Sequence, residues 1–111
     1  MDPERSWLEV IEWLGTPREI RLPRGRPFHV RYDPEEGKVI VTPSLTGIER
    51  RIGREYWERY VNRFNEVERS GYDQFRPGHY AAITHNSSYM VALTREADLN
   101  HLTRAGRGRR S

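Results

Sequence analysis

The 111-residue chain contains 19 Lys and Arg, 16 Asp and Glu, and no Cys. This length suits one domain around one core, and the lack of Cys excludes disulfides, thiolate metal sites and cysteine nucleophiles. Only 35% of the residues are hydrophobic, but 11% are aromatic, a share that disordered chains lack. The composition therefore predicts a small core built on aromatic side chains.

Positive charge is concentrated in two segments of the chain. Residues 21–31 contain four Arg and no acid, and residues 104–111 contain four more Arg. Without those last four, residues 1–103 carry 15 basic and 16 acidic side chains. We predict one domain over 1–103 and a disordered basic Arg/Gly tail over 104–111. No cationic segment precedes a long apolar run, so we expect neither secretion nor a membrane span, and predict a cytoplasmic protein.

The first predicted element is a helix from Ser6 to Leu14. Ser6-Trp7-Leu8-Glu9 has the spacing of a capping box, in which the hydroxyl and the carboxylate each bind a backbone amide at the start of the helix. Apolar residues recur at helical spacing up to Leu14. Gly15-Thr16-Pro17 then ends the helix, because Gly adopts the left-handed cap and Pro cannot continue.

Residues 18–52 predict a small antiparallel sheet. Alternating apolar residues indicate a strand around Ile20 and Leu22, then a β-hairpin with strands over 28–32 and 38–42. After a turn at 43–47, residues 48–52 predict a short fourth strand. The short connections favour a meander of three to four strands.

Two further helices are predicted after the sheet. Apolar residues at Trp57, Tyr60, Val61, Phe64 and Val67 predict a helix over 54–69 with one buried stripe. A loop over 72–79 follows, and residues 86–88 provide caps for a last helix. The predicted fold is α+β, in the order α-β-β-β-(β)-α-α, with the helices packed on one face of the sheet.

The sheet pattern indicates a candidate nucleic-acid surface. If the apolar residues of the strands face the helices, the polar residues between them face outward, close to the Arg residues of the turn at 23–27. This candidate surface consists of Arg21, Arg24, Arg26, His29 and Arg31. The predicted tail adds Arg104, Arg107, Arg109 and Arg110, and cations of this kind bind nucleic-acid phosphates. The alternative is an ordinary solvated sheet face.

A second candidate site lies at the start of the last predicted helix. Hydroxyl groups and backbone amides at a helix N-terminus suit an anion. The residues of this polar cluster are His79, His85, Asn86, Ser87, Ser88 and Tyr89. The alternative is that Asn86 or Ser87 only caps the helix.

The sequence predicts no metal site, since His29, His79, His85 and His101 lack the spacing of metal ligands. It also predicts no cofactor and no catalytic residue, since no acid, base and nucleophile occur together at a recognised spacing. The favoured function is a small non-enzymatic nucleic-acid-binding or accessory protein of a bacterium, phage or mobile element. One alternative is a metal-independent ribonuclease of the bacterial toxin kind, in which His79, His85 or Tyr89 would transfer protons. The other is a protein-binding adaptor. Nucleic acid and protein both stay open as partners, and the sequence does not determine the oligomeric state.

Overall fold

The computed structural model describes residues 1–22, 25–97 and 99. Within them, three α-helices and a four-stranded antiparallel sheet follow the order α-β-β-β-β-α-α, which confirms the predicted fold class. The elements are α1 (Pro3–Trp13), β1 (Arg18–Arg21), β2 (Pro27–Asp33), β3 (Lys38–Pro43), β4 (Arg50–Ile52), α2 (Arg54–Arg69), a 3₁₀ helix (Pro77–Tyr80) and α3 (Ser87–Glu96). The predicted tail over 104–111 lies outside the described residues.

The sheet is a meander with strand order β1-β2-β3-β4. In its register Val30 pairs with Arg18 on one side and with Val41 on the other. Alternation along each strand then puts one set of apolar side chains on the face toward the helices. The buried members of this set are Ile20, Phe28, Val30, Val39, Val41 and Ile52.

Helix α2 forms the centre of the core, as its apolar spacing predicts. All five residues of the predicted stripe are buried: Trp57, Tyr60, Val61, Phe64 and Val67. The ring of Tyr60 lies 5.2 Å from that of Trp57 and 4.8 Å from that of Tyr80, centroid to centroid. The predicted aromatic core is therefore confirmed, and it extends from α2 to the 3₁₀ helix.

The predicted start of α1 at Ser6 is wrong. The helix begins at Pro3, and the Asp2 carboxylate accepts a hydrogen bond of 2.7 Å from the Arg5 amide. Asp caps a helix as well as Ser does, and Pro suits the first helical position. Ser6 is instead buried inside the helix, which ends at Trp13, one residue earlier than predicted.

Smaller differences occur in the second half of the chain. Strand β4 begins at Arg50, and Ile48, which the sequence predicts at the start of that strand, is 69% exposed. The predicted loop over 72–79 overlaps the 3₁₀ helix, which contributes the buried Tyr80 to the core. In the described part of the chain, no helix has the length and apolar character needed to cross a membrane.

Candidate functional site

Three residues of the predicted nucleic-acid surface, Arg21, His29 and Arg31, lie on the outer face of the sheet. Arg21 at the end of β1 is exposed, and so is His29, which lies between Glu19 and Thr42 in the register. Arg31 is half-buried further along β2. Arg24 lies outside the described residues.

Arg31 belongs to a chain of ion pairs on this face. Its guanidinium lies 3.3 Å from the Glu49 carboxylate and 3.9 Å from that of Asp33. Glu49 also pairs with Arg51 at 3.1 Å, and Arg51 pairs with Glu36 at 2.8 Å. Three carboxylates therefore compensate two guanidinium groups here, and this part of the face has little positive charge to offer a phosphate.

These ion pairs surround an apolar side chain that faces away from the core. Ile40 pairs with Arg31 on one side and with Arg51 on the other, so all three side chains point outward. Ile40 is nevertheless fully buried. The aliphatic stems of long charged side chains cover apolar surface while their heads stay in water, and we attribute the burial of Ile40 to the stems of its two arginine neighbours.

The predicted polar cluster separates into two environments. The ring of His79 lies 6.0 Å from that of Tyr72 and 6.2 Å from that of Tyr80, and its carbonyl oxygen accepts a hydrogen bond from Arg63. His85 is exposed in the segment that precedes α3. His79 thus belongs to the aromatic packing around the 3₁₀ helix.

The other end of the cluster contacts the sheet through Arg50. Asn86 occupies the N-cap position of α3, but its side chain makes no capping hydrogen bond. Its Oδ1 instead accepts a hydrogen bond of 3.3 Å from Arg50. The Arg50 guanidinium also lies 5.5 Å from the centre of the Tyr89 ring, and that ring packs edge to face with Phe28 at 4.9 Å. Arg50 is not among the residues predicted for either site, because its position opposite Val41 depends on the register of a three-residue strand.

Arg26 and Tyr89 line one cavity of about 290 Å³, which we call the Tyr89 cavity. It lies between the β1–β2 loop, the start of the β3–β4 loop and α3. The rest of its lining is Gly25, Pro27, Phe28, Pro43, Ser44 and Leu45. The structure therefore brings one residue of the predicted basic surface together with one residue of the predicted polar cluster.

A second cavity of about 420 Å³, which we call the Phe75 cavity, adjoins the first. Gly25 lines both cavities, and the neighbouring residues Ser88 and Tyr89 of α3 line one each. The Phe75 cavity is mainly apolar, with Leu22, Phe75, Pro77, Val91 and Ala92 in its wall. Its one charged lining residue among those described is Arg95, whose guanidinium lies 5.3 Å from the centre of the Phe75 ring.

The charges around the two cavities differ from those on the sheet face. Arg26, Arg50 and Arg95 form no ion pair with any carboxylate of residues 1–22, 25–97 and 99. The N-terminus of α3 lies beside the two cavities and adds the positive end of the helix dipole. The face around the cavities is therefore suited to an anionic ligand.

Among the residues that the structure describes, no group of three or more His, Asp or Glu side chains is arranged to hold a metal ion. Comparison of the chain with protein-family models, with curated proteins and with solved structures gave no match.

Proposed function

We propose that this protein binds nucleic acid through the face around the Tyr89 and Phe75 cavities. Arg26, Arg50 and Arg95 would contact phosphates there, and Tyr89 would contact the sugar or the base. The observation that carries the proposal is the meeting of Arg26 with Tyr89 in one cavity beside Arg50. Cations next to an aromatic side chain are the usual elements of a nucleic-acid interface.

Charge compensation favours this face over the outer face of the sheet. A cation contributes to phosphate binding when it releases counterions from the nucleic acid. Arg31 and Arg51 would first have to leave Glu49 and their other carboxylate partners. Arg26 and Arg95 form no ion pair with a carboxylate of the described residues, so no such pair has to break before they bind a phosphate. Arg104, Arg107, Arg109 and Arg110 would add long-range attraction from outside the described part of the chain.

The test is fluorescence anisotropy with labelled single-stranded and double-stranded DNA and RNA, repeated over a range of salt concentrations. Arg26→Ser and Arg95→Ser should each weaken binding and lower the slope of log affinity against log salt by about 0.7 to 0.9 for the lost phosphate contact. Arg54→Ser is the matched control, since it removes the same charge from an exposed arginine that pairs with Glu4. It should leave the slope unchanged.

Two results would contradict the proposal. The first is the lack of salt-dependent binding to any of the four nucleic acids at low ionic strength, which would favour a protein partner. The second is binding that survives Arg26→Ser and Arg95→Ser but is lost with Arg31→Ser or Arg51→Ser. That result would place the interface on the outer face of the sheet.

A further inference from the structure

The Tyr89 and Phe75 cavities share three kinds of lining group. In each, an aromatic ring is anchored against the core: Tyr89 packs on Phe28, and Phe75 packs on Phe64 with its ring centre 5.8 Å away. In each, one arginine also lines the cavity: Arg26 beside Tyr89, and Arg95 beside Phe75, where its guanidinium lies 5.3 Å from the ring centre. Both cavities thus combine an apolar wall, a fixed aromatic ring and a guanidinium group.

Phosphate binding alone does not require an apolar cavity with an aromatic ring. A duplex presents phosphates and sugars on its outside and keeps its bases stacked within, so a convex or flat basic surface is sufficient for it. A concave apolar cavity instead suits a flat and largely apolar group that leaves water. An unpaired base is such a group, and it stacks on aromatic rings and on guanidinium planes.

The two cavities also adjoin one another, as binding sites for neighbouring nucleotides of one strand must. They share Gly25 as a common wall, and the consecutive residues Ser88 and Tyr89 line one cavity each. Arg26 lines one cavity and Arg95 the other, so each cavity has a cation for a flanking phosphate. Because both aromatic rings are already held by packing, little conformational entropy is lost when a base enters.

From these observations, and resting on the proposed function, we infer that the ligand is single-stranded nucleic acid whose unpaired bases enter the two cavities. Stacking of the bases in the cavities contributes binding free energy that does not depend on salt. Contacts between the arginines and the phosphates contribute the part of the binding free energy that does. The shared chemistry covers DNA and RNA, since both sugars carry the same phosphates and similar bases.

The test compares, at one salt concentration, a single strand, its own duplex, and a strand of equal length in which several nucleotides lack their base. This is done for DNA and repeated with the unmodified RNA strand and duplex. Base stacking predicts that the intact strand binds about tenfold tighter for each base that enters a cavity, relative to the duplex and to the abasic strand. This preference in either DNA or RNA supports the inference.

A cavity-filling variant separates base binding from phosphate binding. Ala92→Leu fills the Phe75 cavity without changing any charge, so it should reduce the preference for single strands and leave the salt slope intact. Since Ala92 is buried, Ser88→Leu at the exposed rim of the same cavity gives a second variant should the first fail to fold. Ala82→Leu, at an exposed alanine that lines neither cavity, is the matched control.

Failure of the inference is distinguishable from failure of the proposed function. Equal affinity for strand, duplex and abasic strand, with Arg26→Ser weakening all three, would overturn the inference and keep nucleic-acid binding. Single-strand preference that the cavity-filling variants leave unchanged would also overturn it, because the bases would then bind elsewhere. A lack of binding to every probe would overturn the proposed function itself.

Discussion

The Ser6 hydroxyl accepts a buried hydrogen bond of 2.9 Å from the Trp57 indole, across 51 residues of chain. The same hydroxyl donates to the Pro3 carbonyl oxygen at 3.1 Å. The rings of Trp7 and Trp57 lie 6.2 Å apart beside it. This hydrogen bond joins α1 to α2 within the core and satisfies the indole N–H of a residue that water does not reach.

We predict that Ser6→Ala lowers the free energy of unfolding by about 1–3 kcal/mol, because the Trp57 indole N–H would stay buried without an acceptor. Urea unfolding followed by Trp fluorescence measures this change. Ser70→Ala, at an exposed serine that follows α2, is the control and should change stability by less than about 0.5 kcal/mol. Equal stability of both variants would show that the hydrogen bond makes no net contribution.

Alkaline pH should unfold the protein through two buried tyrosines. Tyr60 lies against Thr94, and the Tyr80 hydroxyl donates a hydrogen bond of 2.6 Å to the Gln74 carbonyl oxygen. Burial raises the pKa of both hydroxyl groups above the ordinary value, since the phenolate would lose its hydration. Their contribution to stability is complete below pH of about 10, where tyrosine is neutral in both states, and it is lost as the pH rises above that value.

The slope of this loss is about 1.4 kcal/mol per pH unit for each tyrosine that stays neutral when folded and ionises when unfolded. Tyr60→Phe and Tyr80→Phe should therefore each flatten the fall of unfolding free energy above pH 10. Tyr72→Phe should not, because Tyr72 is exposed. Identical alkaline profiles for all three variants would contradict the assignment.

Ile40 should contribute core-like stability from the outer face of the sheet. We expect Ile40→Ala to lower the free energy of unfolding by about 2–5 kcal/mol, as for a buried aliphatic side chain. Glu49→Gln should cost less than about 1 kcal/mol, because the ion pairs that it loses are partly exposed. Denaturant unfolding of the two variants measures both values. An Ile40→Ala cost near that of Glu49→Gln would mean that the arginine stems do not shield the site.

Deleting residues 104–111 tests the contribution of the basic tail to the proposed nucleic-acid binding. The deletion leaves a body with 15 basic and 16 acidic side chains. If all four arginines contact phosphates, the slope of log affinity against log salt should fall by roughly 3. Anisotropy titrations over a range of salt concentrations measure this slope, with the unfolding free energy of the deletion variant as the control. An unchanged slope would exclude phosphate contacts by the tail.

Local periodicity was sufficient to predict the central hairpin and helix α2. The strands over 28–32 and 38–42 and the helix over 54–69 each bury one face, and burial of one face imposes a period of two or of 3.6 on the sequence. The buried positions of α2 follow from that pattern alone. The start of α1 could not be predicted in this way, because Asp2 and Ser6 both suit an N-cap. Only the position of Trp57 in the folded chain shows that Ser6 is needed inside the core.

The residues of the candidate site could likewise be predicted only in part from the sequence. Arg26 and Tyr89 each stood out in a segment of distinct composition, but nothing local places them in one cavity. That meeting depends on how the β1–β2 loop and α3 pack at the edge of the sheet. The pairing of Arg31 and Arg51 with Glu49, and the freedom of Arg26 from any described carboxylate, depend on the same packing. Periodicity reports which side of an element is buried, whereas the partners of a charge are set by distances in three dimensions, and only the tertiary structure decides those.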